Sequence, residues 1–203
     1  HVAERIFSTW SCVSSGAVLN FAESIDTVQA NLREIQPTLF FAVPRIWEKM
    51  HAGVLIKAKD ATWIKRKLAE WGLRLAERIG DEVVANDGNH TTRSRLLYAL
   101  GYPLLFRPLR ERVGLRYCRW AGSGAAAIAP EVLKFFFGLN IIIYEIYGMT
   151  ETAGVITSNP LPPGERRAGS VGLPAGPEVA IVDGAGAPGA PGPAAGRPSP
   201  RCT

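Results

Sequence analysis

Short apolar runs rich in strand-forming residues alternate along this chain with longer stretches of helical periodicity, and few architectures accommodate that alternation. Strands separated by helices pair most readily in parallel with the helices laid over the faces, so the expected class is α/β, with layered parallel sheets. Residues 2–17 place Ile6, Phe7, Trp10 and Val13 at helical spacing, and Gly16 is the expected stop before the strand-like Val18, Leu19, Asn20 and Phe21. Asp26 and Gln29 have capping-box spacing, and Val28, Leu32 and Ile35 line one helical face up to Pro37. Residues 38–43 are a continuous apolar run closed by Pro44, the pattern of a buried parallel strand. Helix then dominates as far as about Gly114, with Ile64, Leu68, Trp71, Leu75 and Ile79 forming a stripe expected to face the core. A polar loop interrupts it at 87–90, and a second basic helical stretch runs over 94–112. Further strands are expected at 115–121, 140–144 and 178–182, with a helix at 129–139.

Composition narrows the class of protein. With 47% apolar and 20% charged residues the chain is ordinary for a globular domain able to bury a core. Its net charge of +5 is regional: residues 57–119 hold 14 Lys/Arg against 7 Asp/Glu, while the rest of the chain is slightly acidic. Solvated helix faces account for such an excess more simply than an anionic partner does. Cys12, Cys118 and Cys202 make no metal-binding or disulfide pattern, which suits a reducing, cytoplasmic setting. The most apolar stretch, residues 132–144, contains Lys134, Gly138 and Asn140 and is shorter than the roughly 20 residues that span a bilayer. Residues 184–203 are almost wholly Gly, Ala and Pro, a tail expected to be disordered or read out of frame. The chain starts at His1, directly inside a patterned segment, and is expected to be a piece of a longer protein.

Chemistry concentrates after the 140–144 strand. Tyr147, Gly148, Met149, Thr150, Glu151 and Thr152 follow it at the carboxyl end of the sheet, where open α/β folds bind ligands. A Tyr ring stacks on a flat base, Gly148 permits close backbone approach, a Thr hydroxyl donates to phosphate and a carboxylate holds Mg²⁺. Upstream, Gly122, Ser123, Gly124, Ala125, Ala126 and Ala127 lie between a strand and a helix starting near Pro130, small enough for a ring or acyl chain to lie against the backbone. An ordinary turn and an ordinary loop are the structural alternatives for these two segments.

Residues 147–152 match the YGMTET core motif of the AMP-forming adenylating enzymes, and the chain resembles that family. In the family the Tyr packs on adenine, the Thr contacts the α-phosphate and the Glu coordinates Mg²⁺, which assigns these roles to Tyr147, Thr150 and Glu151. Residues 122–127 resemble the SGAAPL-like stretch bordering the adenine and acyl pockets, with Ala127 in place of the usual Pro. The resemblance thus implies nucleotide contacts at Ser123, Gly124, Ala125, Ala126, Tyr147, Gly148 and Thr150, and an acyl pocket at His1, Gly122, Ser123 and Gly124. His1 through Arg5 is similar to the family's HxxER segment. Gln36, Pro37 and Thr38, with Val43, Pro44, Arg45, Ile46, Trp47, Glu48 and Lys49, resemble the PT…VPRxWEK signature of long-chain acyl-CoA synthetases. Pro44 would start a helix, Trp47 would pack, and Arg45 would pair with Glu48.

Residues 169–174 resemble the GSVGxP turn, and the likeness ends near Asp183. Residues 1–183 are therefore expected to form part of an AMP-binding domain. Neither the phosphate loop with its Lys nor the ribose-binding Asp and the late adenylation Lys of the family is found, so the chain alone is expected to be inactive. The implied activity of the intact enzyme is activation of a long-chain fatty acid with ATP and Mg²⁺ to acyl-AMP, then transfer to coenzyme A. Peripheral membrane contact fits such substrates, and nucleic acid is not among the expected partners. Two other readings remain open: an adenylating enzyme for another carboxylic acid, and a non-catalytic basic module in residues 57–119.

Overall fold

In the computed structural model, which describes residues 2–60, 62–161, 166–180, 182, 186 and 187, helices and strands alternate much as the periodicity predicts. The first helical run joins α1 (Val2–Glu4), a π-helical stretch (Arg5–Trp10) and α2 (Ser11–Ser15), and Gly16 ends it in the left-handed conformation. It is followed by α3 (Val28–Ile35), β1 (Leu39–Ala42), α4 (Pro44–Lys59), α5 (Trp63–Ala85) and α6 (Thr92–Gly101). A second π-helical stretch (Tyr102–Phe106) leads into α7 (Arg107–Val113), β2 (Trp120–Gly124), α8 (Pro130–Gly138), β3 (Ile143–Met149), β4 (Gly154–Ser158) and β5 (Leu173–Pro174). The strands form one sheet in the order β1-β2-β3-β4-β5.

The sheet is mixed, a departure from the all-parallel expectation. β1, β2 and β3 run parallel, with Phe41 opposite Gly122 and Gly122 opposite Tyr144, whereas β4 and β5 are antiparallel. Parallel neighbours need a crossover, supplied here by helices; β3 and β4 are joined by a short turn and have only the antiparallel option. One face of the sheet meets α4 and α8. Trp47, fully buried, makes edge contacts with Phe40 at 5.1 Å and Phe136 at 4.9 Å. The other face is covered by Phe7, stacked on Phe41 at 4.3 Å and on Trp120 at 5.9 Å. Pro44 does start its helix, but Arg45 and Glu48 form no ion pair among the described residues; Lys49 pairs instead with Asp26 at 3.0 Å.

Arg110 explains where two strands begin. Its buried guanidinium donates to the carbonyls of Leu115 and Cys118 on the way into β2, and to those of Leu139 and Asn140 on the way into β3. Carbonyls engaged by a side chain are withdrawn from strand pairing, so the strands expected at 115–121 and 140–144 form later, at β2 and β3. Asn140 itself is left-handed, at φ 55°. The thiol of Cys118 lies in the same interior, donates to the Trp120 carbonyl at 3.2 Å, and is pushed up to about 11 by burial, which makes it inert.

Other sequence expectations give way to tertiary contacts. Residues 17–22 form no strand and leave Val18 and Phe21 exposed, because an apolar run becomes a strand only where a neighbour accepts its hydrogen bonds. Asp26 does not cap α3; Ser24 and Thr27 exchange backbone and side-chain hydrogen bonds at that corner instead. Residues 178–180 are not strand, and β5 at Leu173–Pro174 takes the place beside β4. Apart from residues 186 and 187, the Gly/Ala/Pro tail lies outside the described residues, as does His1.

The stripe on α5 is half right. Ile79 is fully buried and Leu75 packs against the core, but Ile64, Leu68 and Trp71 are exposed, and the buried face is Gly72, Ala76, Ile79, Gly80 and Val83. Two glycines explain the rotation: a Cβ on Gly80 would lie 2.2 Å from the Lys134 carbonyl oxygen, and one on Gly138 would lie 2.0 Å from that of Ala76. α5 and α8 therefore touch backbone to backbone, and the small-residue face wins over the bulkier apolar one. Gly80→Ala is expected to destabilise the chain by roughly 2 kcal/mol, overpacking outweighing the about 1 kcal/mol that Ala gains in a helix. Urea unfolding measures this, and an unchanged midpoint would refute the close-contact account.

Candidate functional site

Parallel pairing sets the carboxyl ends of β2 and β3 side by side, with Ser123 opposite Glu145 and Gly124 opposite Ile146. The chain leaves β2 through Ala125, Ala126 and Ala127, all exposed, with Ala125 held left-handed at φ 72°. Gly122 and Gly124 are buried, Gly122 against the Trp120 and Phe41 rings, so the accessible part of this loop begins at Ala125. Of the residues expected to border a ligand here, Ala125 and Ala126 are open, and Ser123, Gly122 and Gly124 lie beneath them.

β3 delivers the hexapeptide, and its residues divide into two groups. Gly148 and Thr152 build the turn. A Cβ on Gly148 would lie 2.0 Å from the Gly154 carbonyl oxygen, so glycine at this position is required by the β3–β4 pairing itself rather than by approach of a ligand. The ladder shifts register between Tyr147 and Gly148, a local bulge. Thr152 Oγ1 accepts from the Met149 amide at 3.2 Å and also lies within hydrogen-bonding distance of the Met149 and Gly154 carbonyls. Tyr147, Thr150 and Glu151 take no part in this bracing, the Tyr147 hydroxyl donating only to Met149 Sδ at 3.8 Å. All three are exposed, and Glu151 forms no ion pair among the described residues.

Beneath the turn runs a buried polar row of which the sequence reading singled out Ser123 alone. Ser123, Glu145 and Asn159 succeed one another across β2, β3 and the end of β4: Ser123 is paired with Glu145, whose carbonyl accepts from the Asn159 amide at 3.1 Å. All three are buried, and Ser123 Oγ, Asn159 Oδ1 and the nearby Thr157 Oγ1 have no hydrogen-bond partner among the described residues. Glu145 accepts from the Gly169 amide at 2.8 Å, and Asn159 Nδ2 donates to the Ser170 carbonyl at 2.9 Å. The row thereby ties the 169–172 turn to the strand that carries the hexapeptide. A lone carboxylate in the apolar run 141–146 was the available signal.

A family model described as AMP-binding enzyme matches residues 1–196. The chain is 35% identical over 158 residues to the long-chain-fatty-acid–CoA ligase ACSBG2 of Xenopus laevis, covering 76% of this chain and 21% of that protein. It is 32% identical over 157 residues to ACSBG2 of Gallus gallus, covering 76% and 20% respectively. The chain thus spans about a fifth of the length of these curated relatives. Among solved structures, the anthranilate CoA ligase AuaEII in complex with anthranoyl-AMP is similar with a TM-score of 0.45 at 18% identity, over 85% of this chain and 23% of that one.

Burial holds the Glu145 carboxyl above its ordinary value of 4.5, the Gly169 amide opposing only in part. The folded chain keeps a proton that the unfolded chain releases, so stability falls as pH rises from 4.5 through the folded-state value. Glu145→Gln retains an acceptor for Gly169 and has no charge to bury. It is expected to unfold at higher urea than the parent at neutral pH, with the advantage gone at about pH 4. Equal midpoints at neutral pH would refute the burial argument.

Proposed function

The chain belongs to the AMP-binding enzyme family, and on that premise we propose that it is the part of a long-chain fatty acid–CoA ligase that presents adenine, α-phosphate and metal contacts. On this reading residues 1–183 are a portion of the adenylation domain. The fatty acid carboxylate attacks the α-phosphorus of ATP, pyrophosphate leaves, and the coenzyme A thiol then displaces AMP from the acyl carbon. The observation that carries the reading is the division within the hexapeptide: Gly148 and Thr152 fix the turn, and Tyr147, Thr150 and Glu151 are left exposed beside the open Ala125–Ala126 loop. Likeness to two fatty-acid–CoA ligases supports the acid class.

Each free side chain has a task suited to its chemistry. Tyr147 offers a ring face to adenine, and the Thr150 hydroxyl donates to an α-phosphate oxygen as charge builds there. The Glu151 carboxylate suits Mg²⁺, which is commonly held by one or two carboxylates with substrate phosphates completing the shell. Among the described residues no cluster of three metal-ligating side chains exists, so a metal here would rely on Glu151 and the nucleotide. When bound, it would draw negative charge off the phosphates. Ala125 and Ala126 would flank adenine with Ser123 and Gly124 beneath them, and Gly122 and His1 belong to the proposed acyl side. No helix among the described residues is long and apolar enough to cross a membrane. Trp63, Ile64, Leu68 and Trp71, exposed among Lys65, Arg66 and Lys67, support peripheral contact with a lipid surface.

Pyrophosphate release with a long-chain fatty acid, measured on a protein that carries this segment with its flanking sequence, tests the proposal. Glu151→Gln is expected to lower the rate about 100-fold. Its unfolding midpoint should stay unchanged, because no ion pair is lost. Undiminished turnover would sink the assignment, and preference for an aryl acid would transfer it to another branch of the family. The 203-residue chain by itself is expected to release none.

A further inference from the structure

At the opposite ends of the same strands, a cavity of about 460 Å³ opens among the residues that lead into β2 and β3. Its wall carries Arg95, Arg110, Arg119, Arg166 and His90 and, among the described residues, no Asp or Glu. Arg119 directly precedes β2, and Ile141 and Ile142 precede β3, whereas Thr150 and Glu151 follow β3; the cavity and the hexapeptide are therefore separated by the length of the strands.

The charge balance of this cavity is unusual. Arg110 and Arg166 are 7% and 5% exposed, and among the described residues neither takes part in an ion pair. Arg110 spends its donors on neutral carbonyls and the Tyr98 hydroxyl. Arg166 donates to the Tyr144 hydroxyl at 3.3 Å, to the Gly88 carbonyl and to Asn89 Oδ1 at 2.8 Å, while its Nε has no partner among the described residues. Burying two guanidinium groups with no countercharge among the described residues is costly, and the two exposed ones at the same wall add to the repulsion. His90 feels this: burial lowers its pKa first, and Arg95 and Arg166 lower it further, against the hydrogen bond that its Nε2 donates to Asn140 Oδ1.

We propose that the cavity is a binding site for a phosphoryl dianion, engaged by Arg95, Arg119 and Arg166, with Arg110 supplying charge from behind. A single carboxylate would balance one guanidinium. A phosphoryl group carries two charges and several oxygens, which suits planar forks converging from different elements. The site is independent of the proposed ligase reading, since it shares no residue with the hexapeptide or the loop after β2.

The test is a titration of the 203-residue chain with inorganic phosphate, and separately with acetate, at matched ionic strength, followed by thermal unfolding and by the NMR titration of the His90 ring. Phosphate is expected to raise the unfolding temperature saturably and to raise the pKa of His90, with acetate doing neither. Arg95 and Arg119 are exposed side chains whose charge adds to the repulsion, so Arg95→Gln and Arg119→Gln should not lower the unfolding temperature in chloride and should weaken phosphate about 10-fold. A phosphate effect that fails to saturate, or that persists in both variants, is the general action of a kosmotropic salt and overturns the proposal. So does acetate matching phosphate.

Discussion

The guanidinium of Arg110 is the constraint on which the arrangement of the sheet depends. Buried donors must find acceptors, and this one finds them on four carbonyls at the mouths of two neighbouring strands. That choice fixes where β2 and β3 start, and with parallel pairing it also fixes where they end. Gly124 and Ile146 thus come out side by side, and the loop after β2 faces the turn after β3. Removing such a hub would orphan several carbonyls at once, so its influence reaches the far end of the sheet through register rather than through contact.

At that far end the hexapeptide serves both structure and chemistry. The sheet changes from parallel to antiparallel at β3, and a bulge between Tyr147 and Gly148 accommodates the change. Gly148 admits the Gly154 carbonyl, and Thr152 closes the turn by bonding its own backbone. Side chains that would otherwise be spent on the fold are thereby released at Tyr147, Thr150 and Glu151. Beneath them, Ser123, Glu145 and Asn159 form a buried row with unused hydrogen-bonding capacity, anchoring the 169–172 turn against the same strands.

Charge is divided between the two ends of the strands. The hexapeptide end presents a carboxylate that is unpaired among the described residues, and the other end gathers arginines from α6, α7, the approach to β2 and the segment before residue 169. The basic excess of residues 57–119 suggested solvated helix faces, which holds for Arg66 and Arg74, paired on the surface with Glu70. It does not hold for Arg110. A residue count assigns the same charge to both kinds of arginine, and only burial separates them.

Sequence alone determined the features encoded in contiguous residues. These are the α/β alternation, the helix begun by Pro44, a helix at 129–139 that forms as α8, the strand that becomes β1, and membership of the AMP-binding enzyme family, whose model matches residues 1–196. Only the tertiary structure decided which face of α5 is buried, where β2 and β3 begin, that Gly148 answers to Gly154, and that Arg166 meets Gly88 from 78 positions away. The physical reason is one of range. Periodicity and turn chemistry depend on neighbours a few residues apart, whereas backbone contact between helices, capture of distant carbonyls and burial of a charge are properties of residues brought together by the completed fold.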